Sequence, residues 1–216
     1  MTMLKSVSLR EQAREAVRAQ IVLGEIVPGQ VLSVVSVAAT LGVSITPVRE
    51  AVMDLANLGM VEIIRNRGFR VPVLTEHDLG EIFALRSMLE VPAMGEVPAK
   101  VDGKPIPEFR ELAEQITDAA RRSDLVAFLD LDRQFHLGLI GLLGNERLVA
   151  AVARLRDQAR MHGLQKLADQ GELTVSGEEH IALVDAIEAN DGELAARLMR
   201  RHLVHSRGIW AGRADA

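Results

Sequence analysis

The segment LGVSITPVREAVMDLANLGMVEIIRNRGFRV, residues 41–71, decides the fold of the first third of the chain. Either Ser44 or Thr46 can cap a helix here, and Pro47 is tolerated because it falls in the first turn. From Val48 to Leu58 the apolar residues recur at helical spacing and fall on one side of the helix. Four residues are left on the opposite side, which we expect to be exposed: Arg49, Glu50, Met53 and Asn57.

A β-hairpin is predicted directly after this helix, which ends at Gly59. Two short β-rich runs, at residues 61–64 and 69–73, flank the basic tip RNRG at residues 65–68. Two shorter helical patterns precede the segment, at residues 10–23 and 34–41. Three helices followed by a hairpin is the order of a winged helix-turn-helix, a DNA-binding module.

The rest of the chain carries helical patterns. Thr75 and Asp78 form a capping box that opens a helix to about Val91, where Pro92 and later Pro98 are expected to interrupt or end it. Further helices are predicted at residues 107–122, 124–143, 146–169, 177–189 and 192–210, with joints at Gly144-Asn145 and Ser176-Gly177. The predicted fold class is therefore mainly α. It combines a winged helix-turn-helix domain (three helices plus a β-hairpin wing, residues 1–74) with an all-α antiparallel helical bundle (residues 75–216).

The composition excludes several classes of protein. The chain has no cysteine, so disulfides and thiolate metal sites are excluded, and a metal would need His and carboxylate ligands. We expect a cytoplasmic protein, because the N-terminus lacks a signal-peptide pattern and no apolar run reaches the roughly 20 residues of a membrane span. Residues 1–74 carry eight Lys and Arg against six Asp and Glu, a net charge of +2, whereas the rest carries −7. A basic head on an acidic body indicates phosphate contact at one end.

Ionisable side chains within apolar helix faces are the main signal of the second half. Asp132 and His136 lie one turn apart in the apolar stripe of one helix, and His180 and His202 lie in the stripes of two others. An unpaired buried carboxylate is too costly to persist, whereas Asp and three neutral His around a divalent cation satisfy every group. The alternatives are a hydrogen-bonded Asp and His pair among ordinary core histidines, and a site in which His205 replaces His202.

Arg86 lies in the apolar stripe of the first helix of the bundle, with Glu90 one turn away. The two side chains can simply pair with each other. Alternatively, Arg86 offers its planar guanidinium to the carboxylate of a ligand bound beside the metal. The pattern leaves both readings open.

Motifs along nearly the whole chain carry a family resemblance. In the first half they are Pro28-Gly29, LGVSITPVREAV (41–52), LANLGMVEI (55–63) and RNRGFRV (65–71). In the second half they are LRSMLE (85–90), DRQFH (132–136), Gly144-Asn145 and the EH and DAIEANDGELAARLMRRHL segments around His180 and His202. With these motifs the chain resembles the GntR family of bacterial regulators, specifically its FadR-like subgroup with an FCD ligand-binding domain.

The resemblance implies a DNA-binding transcription regulator without enzymatic activity. It assigns to the DNA surface Ser44, Thr46, Pro47, Arg49, Arg65 and, in a wing near the minor groove, Gly68. It implies a divalent metal, zinc, nickel or manganese, held by Asp132, His136, His180 and His202. A small organic acid would complete the coordination with help from Arg86 and Asn145. A homodimer would read a pseudo-palindromic double-stranded operator, and the effector would change the spacing of its two heads.

Two departures from the family pattern bear on operator sequence and affinity. Many relatives have a basic residue in place of Ile45 and a charged stretch in place of residues 33–37. Ile45 serves either internal packing or an apolar contact to a thymine methyl. Two further functions are weighed against the organic-acid regulator: a metal-dependent hydrolase, and a metal sensor that needs no organic effector.

Overall fold

The computed structural model describes residues 8–159 and 172–210, and the chain divides into two compact units between Val73 and Leu74. The described elements of the first unit are α1 (Leu9–Val22), β1 (Val31–Leu32), α2 (Val34–Leu41), α3 (Ile45–Asn57), β2 (Glu62–Ile64) and β3 (Gly68–Arg70). Helices α1 and α2 pack on α3, and the strands form an antiparallel sheet in the order β1-β3-β2. The predicted winged helix-turn-helix is confirmed.

Helix α3 has the two faces that its sequence predicts. Its buried residues are Val48, Ala51, Val52 and Leu55, and its exposed residues include Arg49, Glu50, Met53 and Asn57. The Arg10 guanidinium ties α1 to α3 through Asp54, at 2.5 Å between Nη2 and Oδ1. In the described part of the chain no single helix has the length and apolar composition of a membrane span, although α2 and α3 together, bent by 117°, meet those two criteria.

Strand β1 is an element that the sequence did not predict. It contains only Val31 and Leu32, too few residues to show an alternating pattern, and it pairs with β3. Gly68 makes this pairing possible. Its φ is +126°, and a Cβ there would lie 1.9 Å from the Leu32 carbonyl oxygen. The wing glycine is therefore required by the sheet itself.

The second unit is an all-α bundle, which confirms the predicted fold class. Its described helices are α4 (Glu76–Val101), α5 (Pro107–Arg121), α6 (Leu125–Gly141), α7 (Glu146–Ala159), α8 (Glu172–Glu188) and α9 (Gly192–Trp210). Helix α4 packs against α7 and α9, and α5 packs against α6 and α8. The predicted capping box of Thr75 and Asp78 is present at the start of α4. Residues 160–169 of the helix predicted at 146–169 lie outside the described residues.

Helix α4 does not end at its prolines, so that prediction is wrong. It runs through Pro92 and Pro98 to Val101. A proline inside a helix costs about 3 kcal/mol, because it lacks the N–H group and crowds the preceding turn. Met94 and Val97, which follow Pro92 and are fully buried, offset this cost at roughly 1.5–3 kcal/mol each.

The predicted joint at Ser176-Gly177 is also wrong, because both residues lie inside α8. Gly177 packs against α5, and a Cβ on it would lie 2.9 Å from the Thr117 Cα atom. The glycine therefore allows two helices to approach closely and does not break either of them. With α8 starting at Glu172, His180 lies about two turns inside the helix.

Candidate metal centre

Three helices bring one carboxylate and three imidazoles together in the interior of the bundle. Helix α6 supplies Asp132 and His136, which share a face because they lie four residues apart. Helix α8 supplies His180, and α9 supplies His202. All four residues are at most 5% exposed, and one potential ligand atom from each lies within 4.8 Å of the others. The cluster has the size and donor types of a metal site.

Asp132, His136 and His180 bring their potential metal-ligand atoms to within 3.5 Å of one another. His180 Nε2 lies 3.1 Å from Asp132 Oδ1 and 3.1 Å from His136 Nε2, and His136 Nε2 lies 3.5 Å from the same carboxylate oxygen. His136 Nδ1 is buried and has no hydrogen-bond partner among the described residues. One carboxylate oxygen and imidazole nitrogens are a donor set that zinc and other divalent transition metals accept.

The three imidazoles are neutral at physiological pH. Burial, together with the positive charge of Arg156, lowers the pKa of His180 to about 4. Burial likewise lowers the pKa of His202 to about 4, against the opposing effect of its hydrogen bond to Glu179. Burial also lowers the pKa of His136 well below its ordinary value. A neutral imidazole keeps a lone pair for a metal, which a protonated ring does not.

Arg156 is a buried part of this site that the sequence analysis missed. From α7 its Nη1 donates to Glu90 Oε2 at 2.5 Å, and its Nη2 donates to Asp132 Oδ2 at 2.6 Å. Asp132 therefore has one oxygen on the arginine and the other toward the imidazoles. A signal was available, because Arg156 follows Val149 and Val152 on the inner face of α7.

Arg86 and Glu90 form the ion pair that was one of the two alternatives for them. Arg86 Nε donates to Glu90 Oε1 at 2.6 Å, and both side chains are buried. Burial alone would raise the pKa of Glu90, but the charges of Arg156 and Arg86 outweigh it and lower the pKa to about 2. The pair uses Nε of Arg86, so a ligand role for its terminal nitrogens stays a prediction.

Aromatic side chains close one side of the cluster. Phe135 is fully buried, and its ring makes edge contacts with His136 at 5.3 Å and His180 at 4.9 Å between centroids. Phe109 packs edge-on against Phe135 at 6.3 Å. This apolar wall keeps water away and thereby strengthens the electrostatic interactions inside the site.

Two other residues of the sequence analysis lie apart from the four-residue cluster. His205 is partly exposed, and its Nδ1 lies 3.5 Å from Glu179 Oε2, so the structure brings His202 and not His205 into the cluster. Asn145 is exposed, and its Oδ1 accepts a hydrogen bond from the Leu148 N–H in the first turn of α7. A ligand role for Asn145 stays a prediction beside this capping role.

The residues predicted to touch DNA lie on the first unit. Ser44, Thr46, Arg49 and Arg65 are exposed, and Pro47 and Gly68 are partly buried. Ser44 is the N-cap residue of α3, but its side chain makes no capping hydrogen bond. Ile45 is 40% exposed, which leaves part of its side chain for an external contact. No ion pair holds Arg49 or Arg65 within the described ranges of the chain.

Comparisons with known proteins match both units. The model of bacterial regulatory proteins, gntR family, matches residues 9–71, and the FCD domain model matches residues 81–205. The transcriptional regulator McbR of Escherichia coli is 28% identical, covering 88% of this chain and 87% of its own length. A probable D-xylose utilization operon transcriptional repressor of Paenarthrobacter nicotinovorans is 32% identical, over 93% of this chain and 88% of its own length. The solved structure of E. coli McbR/YncC has a TM-score of 0.80 at 26% identity and covers 96% of this chain and 99% of that one.

Proposed function

The chain belongs to the GntR family of bacterial regulatory proteins and carries an FCD domain, and we propose that a small organic acid and a divalent metal control its binding to DNA. It is a DNA-binding transcriptional regulator and not an enzyme, as are its relatives. We propose repression, the mode named for the D-xylose relative, and expect the protein to act in the cytoplasm. The buried group of Asp132, His136, His180 and His202 is the observation that carries the proposal.

A divalent cation fits this group better than a purely polar core does. His180 Nδ1 lies 2.8 Å from the Ser176 carbonyl oxygen and therefore carries the ring hydrogen, which leaves the Nε2 lone pair 3.1 Å from the Asp132 Oδ1 atom. A cation between these two atoms removes the repulsion between them. Zinc, nickel and manganese all accept imidazole and carboxylate ligands. When bound, the ion would offer remaining coordination positions to an oxygen of a small ligand.

The charges around the cluster favour an anionic ligand. The two buried arginines, Arg86 and Arg156, balance the two buried carboxylates, Glu90 and Asp132, and the imidazoles are neutral. The nearly buried Glu179 carboxylate beside His202 offsets one of the two charges that a divalent ion would add, and the positive charge that remains is costly in a buried environment. The carboxylate of an organic acid compensates this charge and also supplies oxygen ligands. We therefore propose a small organic acid as the effector.

A metal sensor without an organic effector is the second candidate, and the ion pair of Arg86 with Glu90 favours it. Arg86→Ala distinguishes the two functions. An organic-acid regulator should keep its metal and lose its response to the acid, whereas a metal sensor should keep its response to the metal. Asn145→Ala tests the predicted ligand role of that residue in the same assay.

The exposed face of α3 and the wing are the proposed DNA surface. We assign six residues to this DNA surface: Ser44, Thr46, Pro47, Arg49, Arg65 and Gly68. Arg49 has no competing ion pair in the described residues, so its charge is available to a phosphate or a base edge. Each lost phosphate contact lowers the salt dependence of binding by roughly one unit of slope. Arg49→Ala should therefore flatten the salt dependence, whereas Arg70→Ala, whose charge is already paired with Glu62, should change it less.

We propose that the second unit forms a homodimer through α4. Its face opposite the buried Arg86 and Glu90 carries an exposed apolar stripe of Ala84, Leu85, Met88 and Pro92. Met88 is 70% exposed, and together with its exposed apolar neighbours it forms a surface of the kind that a second subunit covers. Two-fold proteins read two-fold sites, so a dimer predicts a pseudo-palindromic operator. Met88→Glu should convert the dimer to a monomer in light scattering, and Val175→Glu, at an exposed apolar residue of α8, is the control.

One experiment tests the proposed function directly. DNA from upstream of the gene is footprinted with wild-type protein, with and without Zn²⁺ and a panel of acetate, malonate, succinate and citrate. We expect specific protection that at least one acid changes in the presence of Zn²⁺. Asp132→Ala should bind the DNA and ignore the acids. The absence of specific protection would contradict regulation of this site, and an acid response that persists without Asp132 would contradict the metal-linked effector.

A further inference from the structure

Glu179 lies beside the proposed ligand His180 in sequence but faces a different helix. Successive residues of a helix are about 100° apart, so α8 directs His180 into the cluster and Glu179 toward α9. The Glu179 side chain is 10% exposed, and its Oε2 lies 2.9 Å from His202 Nδ1. A nearly buried carboxylate therefore contacts the imidazole that α9 contributes to the cluster.

This contact determines which nitrogen of His202 is protonated. A neutral imidazole has one N–H donor and one acceptor nitrogen, and a carboxylate accepts hydrogen bonds. The hydrogen is therefore on Nδ1, which donates to Glu179, and the lone pair is on Nε2. A metal ligand needs that lone pair directed at the ion, and a carboxylate on the other nitrogen also makes the ring a stronger base.

The Glu179 carboxylate is held in place by two further groups of α9. His205 Nδ1 and Arg201 Nε each lie 3.5 Å from one of its oxygens. The other two imidazoles are held differently. His180 Nδ1 is hydrogen-bonded to the backbone carbonyl of Ser176 at 2.8 Å, and His136 Nδ1 has no partner in the described part of the chain. Within the described residues, His202 is therefore the imidazole of the three whose Nδ1 contacts a charged side chain from another helix.

We propose that Glu179 is a positioning residue, which fixes the tautomer and ring orientation of His202 and so sets the affinity of the site for a divalent metal. The inference rests on the proposed metal site and adds to it a residue that contacts no metal itself. Helix α8 would then have two roles at adjacent positions, because it supplies the ligand His180 and, through Glu179, orients the ligand His202 of α9.

The test compares Glu179→Ala and Glu179→Gln with the control Glu178→Ala, an exposed carboxylate one residue away. Zn²⁺ affinity is measured on the full chain by competition with a fluorescent chelator. The tautomer of His202 is read from ¹⁵N chemical shifts of the metal-free chain. We expect Glu179→Ala to weaken Zn²⁺ binding about 10- to 100-fold and to populate both tautomers. Glu179→Gln, whose amide oxygen still accepts the hydrogen bond, should keep the Nδ1–H tautomer and most of the affinity, and Glu178→Ala should match the wild type.

Two outcomes overturn different statements. Wild-type protein that binds Zn²⁺ while Glu179→Ala binds it equally well, with an unchanged tautomer, overturns the positioning role and leaves the metal site standing. Wild-type protein that takes up no Zn²⁺ overturns the metal site and the positioning role together. If Glu179→Ala does not fold, Glu179→Leu, which retains the side-chain volume and removes the acceptor, takes its place with the same expected loss.

Discussion

Removing the buried guanidinium of Arg156 should be among the most destabilising single changes in the second unit. Arg156→Met keeps the apolar stem of the side chain but removes the guanidinium, whose nitrogens lie 2.5 Å from Glu90 Oε2 and 2.6 Å from Asp132 Oδ2. Arg86 still neutralises Glu90 in this variant, so the loss falls mainly on Asp132, whose Oδ2 accepts the hydrogen bond from Arg156. Breaking one buried pair in this way costs about 3–5 kcal/mol, and we expect that loss in the metal-free chain.

Urea unfolding followed by far-ultraviolet circular dichroism measures this loss as a change in the free energy of unfolding. The matched control is Arg154→Met, an exposed arginine on the same helix, which should change the free energy of unfolding by less than about 0.5 kcal/mol. Saturating Zn²⁺ should reduce the loss in Arg156→Met, because a cation beside Asp132 replaces the missing charge. A loss below about 1 kcal/mol, or equal losses in the two variants, would refute the reasoning.

Three further changes test other parts of the structure. Gly192→Ala should destabilise the chain by about 1–3 kcal/mol, because the new Cβ would lie 2.4 Å from the Gly95 carbonyl oxygen, whereas Gly141→Ala, with open space around it, should cost nothing; equal urea midpoints would contradict this. Metal-free protein should lose stability as the pH falls from about 6.5 to about 4, because the unfolded chain takes up protons on His180 and His202 whose pKa values are lowered to about 4 by burial in the folded chain; a urea midpoint that stays constant over this range would argue against buried neutral imidazoles. Zn²⁺ at 100 times its dissociation constant should stabilise the protein by about 2.7 kcal/mol, and EDTA should reverse the shift in melting temperature; a melting temperature indifferent to both would argue against binding.

Local patterns predicted the elements whose evidence lies within a few residues. The two faces of α3 and the capping box at Thr75 follow from helical spacing and from side-chain chemistry over one turn, and both are present. The inward direction of Asp132 and His136 follows from the same spacing. These features need no knowledge of the neighbouring helices.

Features that depend on tertiary contact were missed or wrong. Helix α4 continues through Pro92 because the residues that follow it are buried against other helices. The rule that proline ends a helix considers only the local backbone and does not include this burial. Gly177 acts as a contact with α5, although a glycine beside a serine is typical of a joint. Arg156 is hydrogen-bonded to Asp132 and Glu90, which lie 24 and 66 residues away in sequence, and Glu179 is hydrogen-bonded to His202, 23 residues away. Their roles therefore depend on which helices pack together.

The most direct test of the account is anomalous X-ray diffraction from crystals of the full chain prepared with Zn²⁺, recorded on both sides of the zinc absorption edge. We expect one strong peak inside the second unit, at about 2.0–2.2 Å from a carboxylate oxygen of Asp132 and from a ring nitrogen of each of His136, His180 and His202. A crystal with no peak among these four side chains, or with zinc bound only at the protein surface, would contradict it.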